Sequence, residues 1–249
     1  GKPGDFESFA NVFYNWIPDF NTVYDNIHAD KRSDLVRDKN GINVFANGTN
    51  TVPQGDGDYS GAYSNIRRCN LLIENAAGYG NQAEIAQYLG EAYFFRAWNY
   101  FNLMQKFGDV IIVDHTVDVD DALMSAKRND RSEVTDFIIS DLRKACELMK
   151  STADLPEGRV GVEGAYAFMA RVALFEGTWQ KFRSNEARGK ELCGIAANAA
   201  DEVIKSGKFQ LFAPAILGDS AQKYMFILEN VQCNPAGLQK DANKEYIIK

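Results

Sequence analysis

Between Ala83 and Val113 the chain reads AEIAQYLGEAYFFRAWNYFNLMQKFGDVIIV, with aromatic and aliphatic residues on nearly every side of a helix. From Ile85 to Phe107 it contains no proline and a single glycine, Gly90. Ile85, Leu89, Ala92, Phe95 and Trp98 line one face, and Tyr93, Ala97, Tyr100, Met104 and Phe107 line another. A surface helix needs only one apolar stripe, so a helix that is apolar on two faces must be enclosed by neighbours. The pattern predicts a spine helix, closed at Gly108, with Trp98 in the core of a helix-packed domain.

Other segments repeat the helical period. Tyr63 to Ala77 carries Ile66, Leu71, Leu72 and Ile73 and ends at Gly78-Tyr79-Gly80. Asp130 and Glu133 have the spacing of a reciprocal capping box ahead of a stripe running from Val134 to Leu148. Further helices are expected over Gly164–Phe175 and from about Ala187 to Lys205, with Gly207 as a C-terminal cap. One or two helices fall within residues 5–36, and the chain beyond Phe209 is less regular. AYFFRAWNYF from Ala92 realigns with AYAFMARVAL from Ala165, so small and aromatic residues recur where helices approach closely. The fold class is mainly α: stacked tetratricopeptide-like helix pairs with long irregular loops.

Composition excludes several functions. Of the 249 residues, 34 are acidic and 27 basic, a formal charge of −7, whereas nucleic acid demands concentrated positive charge. No apolar run reaches the roughly 18 to 20 residues that span a bilayer. The opening Gly-Lys-Pro-Gly reads as an internal start. Cys69, Cys146, Cys193 and Cys233 are too widely spaced for a zinc site, and the first three are expected as free thiols in helices. No nucleophile elbow, P-loop or metalloprotease helix is present, and His28 and His115 suggest no catalytic arrangement. Neither an enzyme nor a cofactor is expected.

Two motifs resolve into ordinary structure. Gly78-Tyr79-Gly80-Asn81-Gln82-Ala83 fits a dinucleotide fingerprint, but the segment before it is helical where that site requires a strand. Asp56-x-Asp58-x-Ser60-Gly61 opens like a calcium loop, yet the twelfth position holds Arg67 instead of a glutamate, which excludes an EF-hand and leaves a looser calcium site as the alternative to plain loop. The acidic connector with Asp114, Asp118, Asp120 and Asp121 reads as solvated surface. The stretch from Arg37 to Gly61 is different. Rich in Gly, Asn, Asp and Thr, it predicts a long irregular loop, the kind that commonly carries function. Phe45 and Tyr59 lie there among Asn47, Asn50, Gln54 and Asp58. Aromatic faces beside amides and carboxylates suit the C–H faces and hydroxyl rims of sugars, although composition alone favours the alternative, an ordinary polar loop with its aromatics folded back onto the core.

The spine motif GEAYFFRAWNYFNLMQKFGDVIIV resembles the signature of the SusD/RagB family, with Arg96, Ala97, Tyr100, Leu103, Gly108 and Asp109 in step. YSGAYSNIRRCNLLIENA before it, and DFIISDLRKACELM, GRVGVEGAYAFMARVALFEGTWQKF and AANAADEVIKSGKFQLF after it, match in order over residues 59–212. The resemblance implies a tetratricopeptide-like fold and a non-catalytic, lipid-anchored protein exposed on the outer membrane. Such a protein captures oligosaccharide, or less often peptide, and delivers it to a SusC-like TonB-dependent transporter. Ligand-binding residues are expected at Phe45, Asn47, Asn50, Gln54, Asp58 and Tyr59. Family members are commonly about twice this length, so residues 1–249 read as one SusD-like helical domain truncated on its C-terminal side. A tetratricopeptide-like scaffold that binds protein or peptide without sugar is the alternative.

Overall fold

The computed structural model describes residues 1–17, 44 and 47–247. Helix α1 (Pro3–Asn11) runs into a 3-10 segment, Val12–Trp16. The main helices are α2 (Gly57–Ala77), α3 (Gln82–Phe107), α4 (Arg131–Leu148), α5 (Val162–Lys181) and α6 (Glu186–Lys205). A single turn, α7 (Ala221–Tyr224), follows within an otherwise irregular segment. Among the described residues β-pairing is confined to an isolated antiparallel bridge between Val110 and Asn129.

Each long helix packs on the next: α2 on α3, α3 on α4, α4 on α5, and α5 on α6, while α1 lies against α3. Four-residue turns join α2 to α3 and α5 to α6, giving the stacked helical hairpins that the repeat predicted. The spine is α3. On one side Phe95 meets Phe13, Tyr14 and Trp16. On another, Phe94, Trp98 and Phe101 converge on Phe168 of α5. Tyr100 and Met104 are fully buried, so the two-faced apolar pattern does correspond to enclosure.

The helix ends follow local chemistry. Asp56 caps α2, its Oδ1 accepting hydrogen bonds from the Asp58 and Tyr59 amides at 2.8 and 3.0 Å. That cap starts α2 six residues before the Tyr63 predicted from periodicity. It also shortens the predicted 37–61 loop, because residues 57–61 form the first helical turn. Asp130 and Glu133 form the expected capping box on α4. Gly108 stops α3 at φ 71°, a backbone region open to glycine at little cost. At the α5–α6 contact a Cβ on Gly177 would lie 2.9 Å from Cys193 Sγ and 3.1 Å from the Cys193 amide, so that crossing requires a residue without a side chain. All four cysteines are free.

Three arginine–carboxylate pairs pin this stack from within. Arg96 of α3 meets Asp141 of α4 through two hydrogen bonds, at 2.7 and 2.8 Å, with both side chains almost wholly buried. Arg131 at the start of α4 reaches Glu176 of α5 at 2.7 Å. Arg159 donates to both oxygens of Glu91, at 2.8 and 2.7 Å, and bonds Asn11 at the end of α1. Glu163 accepts from Ser151, from Thr152 and from Lys208, and these bonds hold its carboxyl down at about 2 despite burial. Beyond Lys208, Phe212, Leu217, Ala221 and Leu228 form a second, smaller apolar cluster.

A buried pair costs desolvation to form, and removing one partner leaves the other charge uncompensated. Asp141→Ala is therefore expected to destabilise the fold by about 3–5 kcal/mol, measured by urea unfolding. A loss below about 1 kcal/mol, the level of an exposed pair, would show that Arg96 finds another partner.

Candidate functional site

The site predicted from sequence divides into two parts. Asn47, Asn50 and Gln54 are exposed and lie outside any helix. The Asn47 carboxamide oxygen accepts from the Thr49 amide and hydroxyl, which orders that turn locally. Phe45 lies outside the described residues. Asp58 and Tyr59 sit together on the first turn of α2, presented by the Asp56 cap. None of Asn47, Asn50 and Gln54 shares a hydrogen bond with them.

The first turn of α2 is tied to the last turn of α3. Lys106 donates to Asp58 at 2.6 Å, with both groups exposed. The Tyr59 ring packs against Tyr63 at 4.9 Å and edge-on against Phe107 at 5.2 Å. The calcium-like reading of this segment has no support in the geometry, since Asp56 is occupied as a cap and Asp58 faces a lysine.

A cleft of about 380 Å³ opens on one flank of this junction, walled by Trp16, Asp58, Asn65, Trp98, Asn102 and Lys106. Trp98 was expected in the core but is half-buried. Among the described residues α3 faces at this position a cleft between the α1 extension and α2, so the indole closes a wall instead of filling an interior. Phe168 lies behind it at 5.0 Å and 30°. Trp16, which the sequence left unassigned, is also half-buried, with Phe13 behind it at 4.9 Å and 31°. In the floor, Asn65 donates to Asn99 at 3.1 Å and Asn99 to the Phe95 carbonyl at 2.8 Å. The i, i+4, i+8 line of Trp98, Asn102 and Lys106 was the available signal, because amphipathic and charged residues along one strip of an otherwise apolar helix mark its open side.

The opposite flank holds a second, more apolar hollow of about 340 Å³, where Tyr59, Tyr63 and Arg67 face Val113, His115 and Met124. Its far wall, residues 110–116, is held from behind. The Tyr63 hydroxyl donates to the Ile111 carbonyl at 2.7 Å, and Tyr100 accepts from the Val113 amide at 2.6 Å. Asn70 donates to the carbonyls of Val113 and His115, and its own oxygen accepts from Arg96 at 2.8 Å. Glu74 accepts from the amide and hydroxyl of Thr116. The connector read as solvated acid turns out to be structured: Asp114 and Asp121 bracket the His115 ring at 2.8 and 2.7 Å. Hydrogen bonds to both carboxylates favour the imidazolium and push its pKa up to about 9.

A spine helix with a buried arginine, two flanking hollows at its end and a stack of helical hairpins describe a particular class of protein, and comparison with known proteins agrees. The SusD-like family model described as "Starch-binding associating with outer membrane" matches residues 22–174, more than half of the chain. The chain belongs to the SusD/RagB family. SusD-like protein P2 of Formosa agariphila is 32% identical over 122 residues, covering 48% of this chain and 24% of that protein. A SusD-like protein of Bacteroides fragilis superposes over 98% of this chain and 43% of its own length, with a TM-score of 0.70 at 24% identity. Surface glycan-binding protein A of Bacteroides fluxus superposes over 85% of this chain and 46% of its own, with a TM-score of 0.61 at 22% identity. The chain thus spans less than half the length of each of these relatives. No helix among the described residues is long and apolar enough to cross a membrane.

The His115 clamp has a definite pH signature. A histidine whose pKa rises on folding stabilises the fold fully below its unfolded value near 6.5, and that contribution disappears as pH climbs through the folded value. The His115 imidazole should titrate near 9 by NMR, and amide exchange across residues 114–121 should accelerate between pH 6.5 and 9.5 beyond the intrinsic rate. A midpoint at 6.5 would show that the clamp is open in solution.

Proposed function

We propose that this protein binds glycan at the cell surface, without catalysis, and passes it to a SusC-like TonB-dependent transporter of the outer membrane, to which it is held by a lipid anchor. The family description supports starch-type binding and outer-membrane association, and the Bacteroides fluxus relative carries glycan binding in its name. The observation that carries the reading on this chain is the junction of α2 and α3. There Tyr59, Phe107, Asp58 and Lys106 set aromatic and polar groups side by side at the surface.

That combination matches the chemistry of a sugar. The C–H face of a pyranose stacks on an aromatic ring, while its hydroxyls need both donors and acceptors. The polar stretch of Asn47, Asn50 and Gln54 leads directly into this junction, and we assign it, together with Phe45, a supporting part in ligand contact. Residues 1–249 act in this reading as one helical unit of the binder.

Affinity gels followed by calorimetry of the full-length protein against a polysaccharide panel test the proposal. At least one glycan is expected to bind, and Tyr59→Ala should weaken it by about 1–3 kcal/mol through loss of an aromatic contact. Silence across every glycan class, with capture of a peptide by the same protein, would replace this reading with a tetratricopeptide-like scaffold. Unchanged affinity in a folded Tyr59→Ala variant would move the contact away from the start of α2.

A further inference from the structure

We infer that the cleft between Trp16 and Trp98 is a subsite for an uncharged sugar, in which the two indoles act as stacking platforms. This rests on the glycan-binding reading and adds to it both the residues that grip the ligand and the charge class of that ligand.

The platforms are rigid before any ligand arrives. Trp98 is backed by Phe168 and Trp16 by Phe13, each pair of rings about 5 Å apart and tilted by only about 30°. The edge of Trp16 also rests on Phe95, which is wholly buried in the spine. Half-buried indoles braced in this way lose little conformational freedom on binding, which removes one of the main costs of association. The cleft, at about 380 Å³, falls within the size range of small-molecule sites.

The polar groups are amides. The bond from Asn65 Nδ2 to Asn99, and from Asn99 to the Phe95 carbonyl, fixes the orientation of both side chains. Asn65 itself lines the cleft, and its Oδ1 accepts from no other described residue. The Asn102 amide, one turn beyond Trp98, lines the same cleft and forms no hydrogen bond with another described residue. An amide offers two donors and an acceptor, the mixture that a hydroxyl rim needs.

The charges at the mouth cancel. Among the described residues Asp58 and Lys106 are the charged members of the lining, and they close on each other at 2.6 Å. For a uronate or sulfate, repulsion from Asp58 opposes attraction to Lys106, while the cost of desolvating the anion remains. An uncharged ring bears no such cost.

Calorimetry would compare uncharged oligosaccharides (cello-, malto-, xylo-, manno- and laminari-series) with oligogalacturonate and a sulfated oligosaccharide. The full-length protein and its Trp16→Ala, Trp98→Ala, Asn102→Ala and Asp58→Asn variants would be measured, with circular dichroism confirming each fold. An uncharged series should bind and shift the indole emission, and each tryptophan variant should weaken it about tenfold or more. Asn102→Ala removes a half-buried amide that bonds no other described residue, so it should keep its fold and still lose several-fold in affinity. Asp58→Asn removes the carboxylate at the mouth and should raise the affinity for the acidic oligosaccharides relative to that for the uncharged series. Glycan binding that survives in folded Trp98→Ala and Asn102→Ala variants, or a preference for the acidic series, would overturn this inference and leave the glycan-binding reading standing. Failure of every oligosaccharide to bind the unmodified protein would overturn both.

Discussion

The rest of the molecule is arranged around the buried guanidinium of Arg96. It spends its donors on Asp141 of α4, on the side-chain oxygen of Asn70 in α2 and on the Asp114 carbonyl. One side chain of α3 therefore gathers both neighbouring helices and the segment that follows Gly108. A planar fork with several fixed donors can do this, whereas a lysine would offer a point charge without the geometry. Burial pushes the Asp141 carboxyl up, and its bond to Arg96 draws it back down. Phe137 and Tyr93 cover the guanidinium and keep water from competing for it.

This node explains why the family signature has the residues it has. Asn70, Arg96 and Tyr100 hold residues 111–115 in place, Gly108 turns the chain out of α3, and Asp109 accepts from the first amide of α4 at 3.0 Å. These positions are architectural. They fix where the end of α3 stands relative to the start of α2, and hence the rims of both hollows, but they need not touch a ligand. Asn70, Arg96 and Tyr100 are buried and constrained by packing, whereas Asp58, Trp98 and Lys106 stand on the walls of a hollow.

Local periodicity and capping chemistry made most of the fold legible. The two-faced stripe of α3, the Asp130–Glu133 box and the glycine at Gly108 each report on residues a few positions apart, and those relations survive in any tertiary context; the repeat between Ala92 and Ala165 shows the same local pattern twice along the chain. The candidate site was legible only in part. Asp58 and Tyr59 were picked out by composition and do lie at the surface, but as the first turn of a helix capped by Asp56. Trp98 was placed in the core because apolar character and period cannot distinguish a side chain that fills an interior from one that closes a wall.

That distinction depends on how far neighbouring elements reach. Whether Trp98 meets a partner or a gap is set by where the α1 extension ends and how α2 crosses α3. The choice of Asp141 for Arg96, 45 residues away among 34 acidic residues, is likewise a matter of which surfaces meet. The helices, their caps and the enclosure of the spine were written into short-range order along the chain. The pairing of buried charges, the anchoring of residues 111–116 by α2 and α3, and the cleft between the two indoles came into being only when distant segments packed, since each is a relation between residues that the chain alone does not bring together.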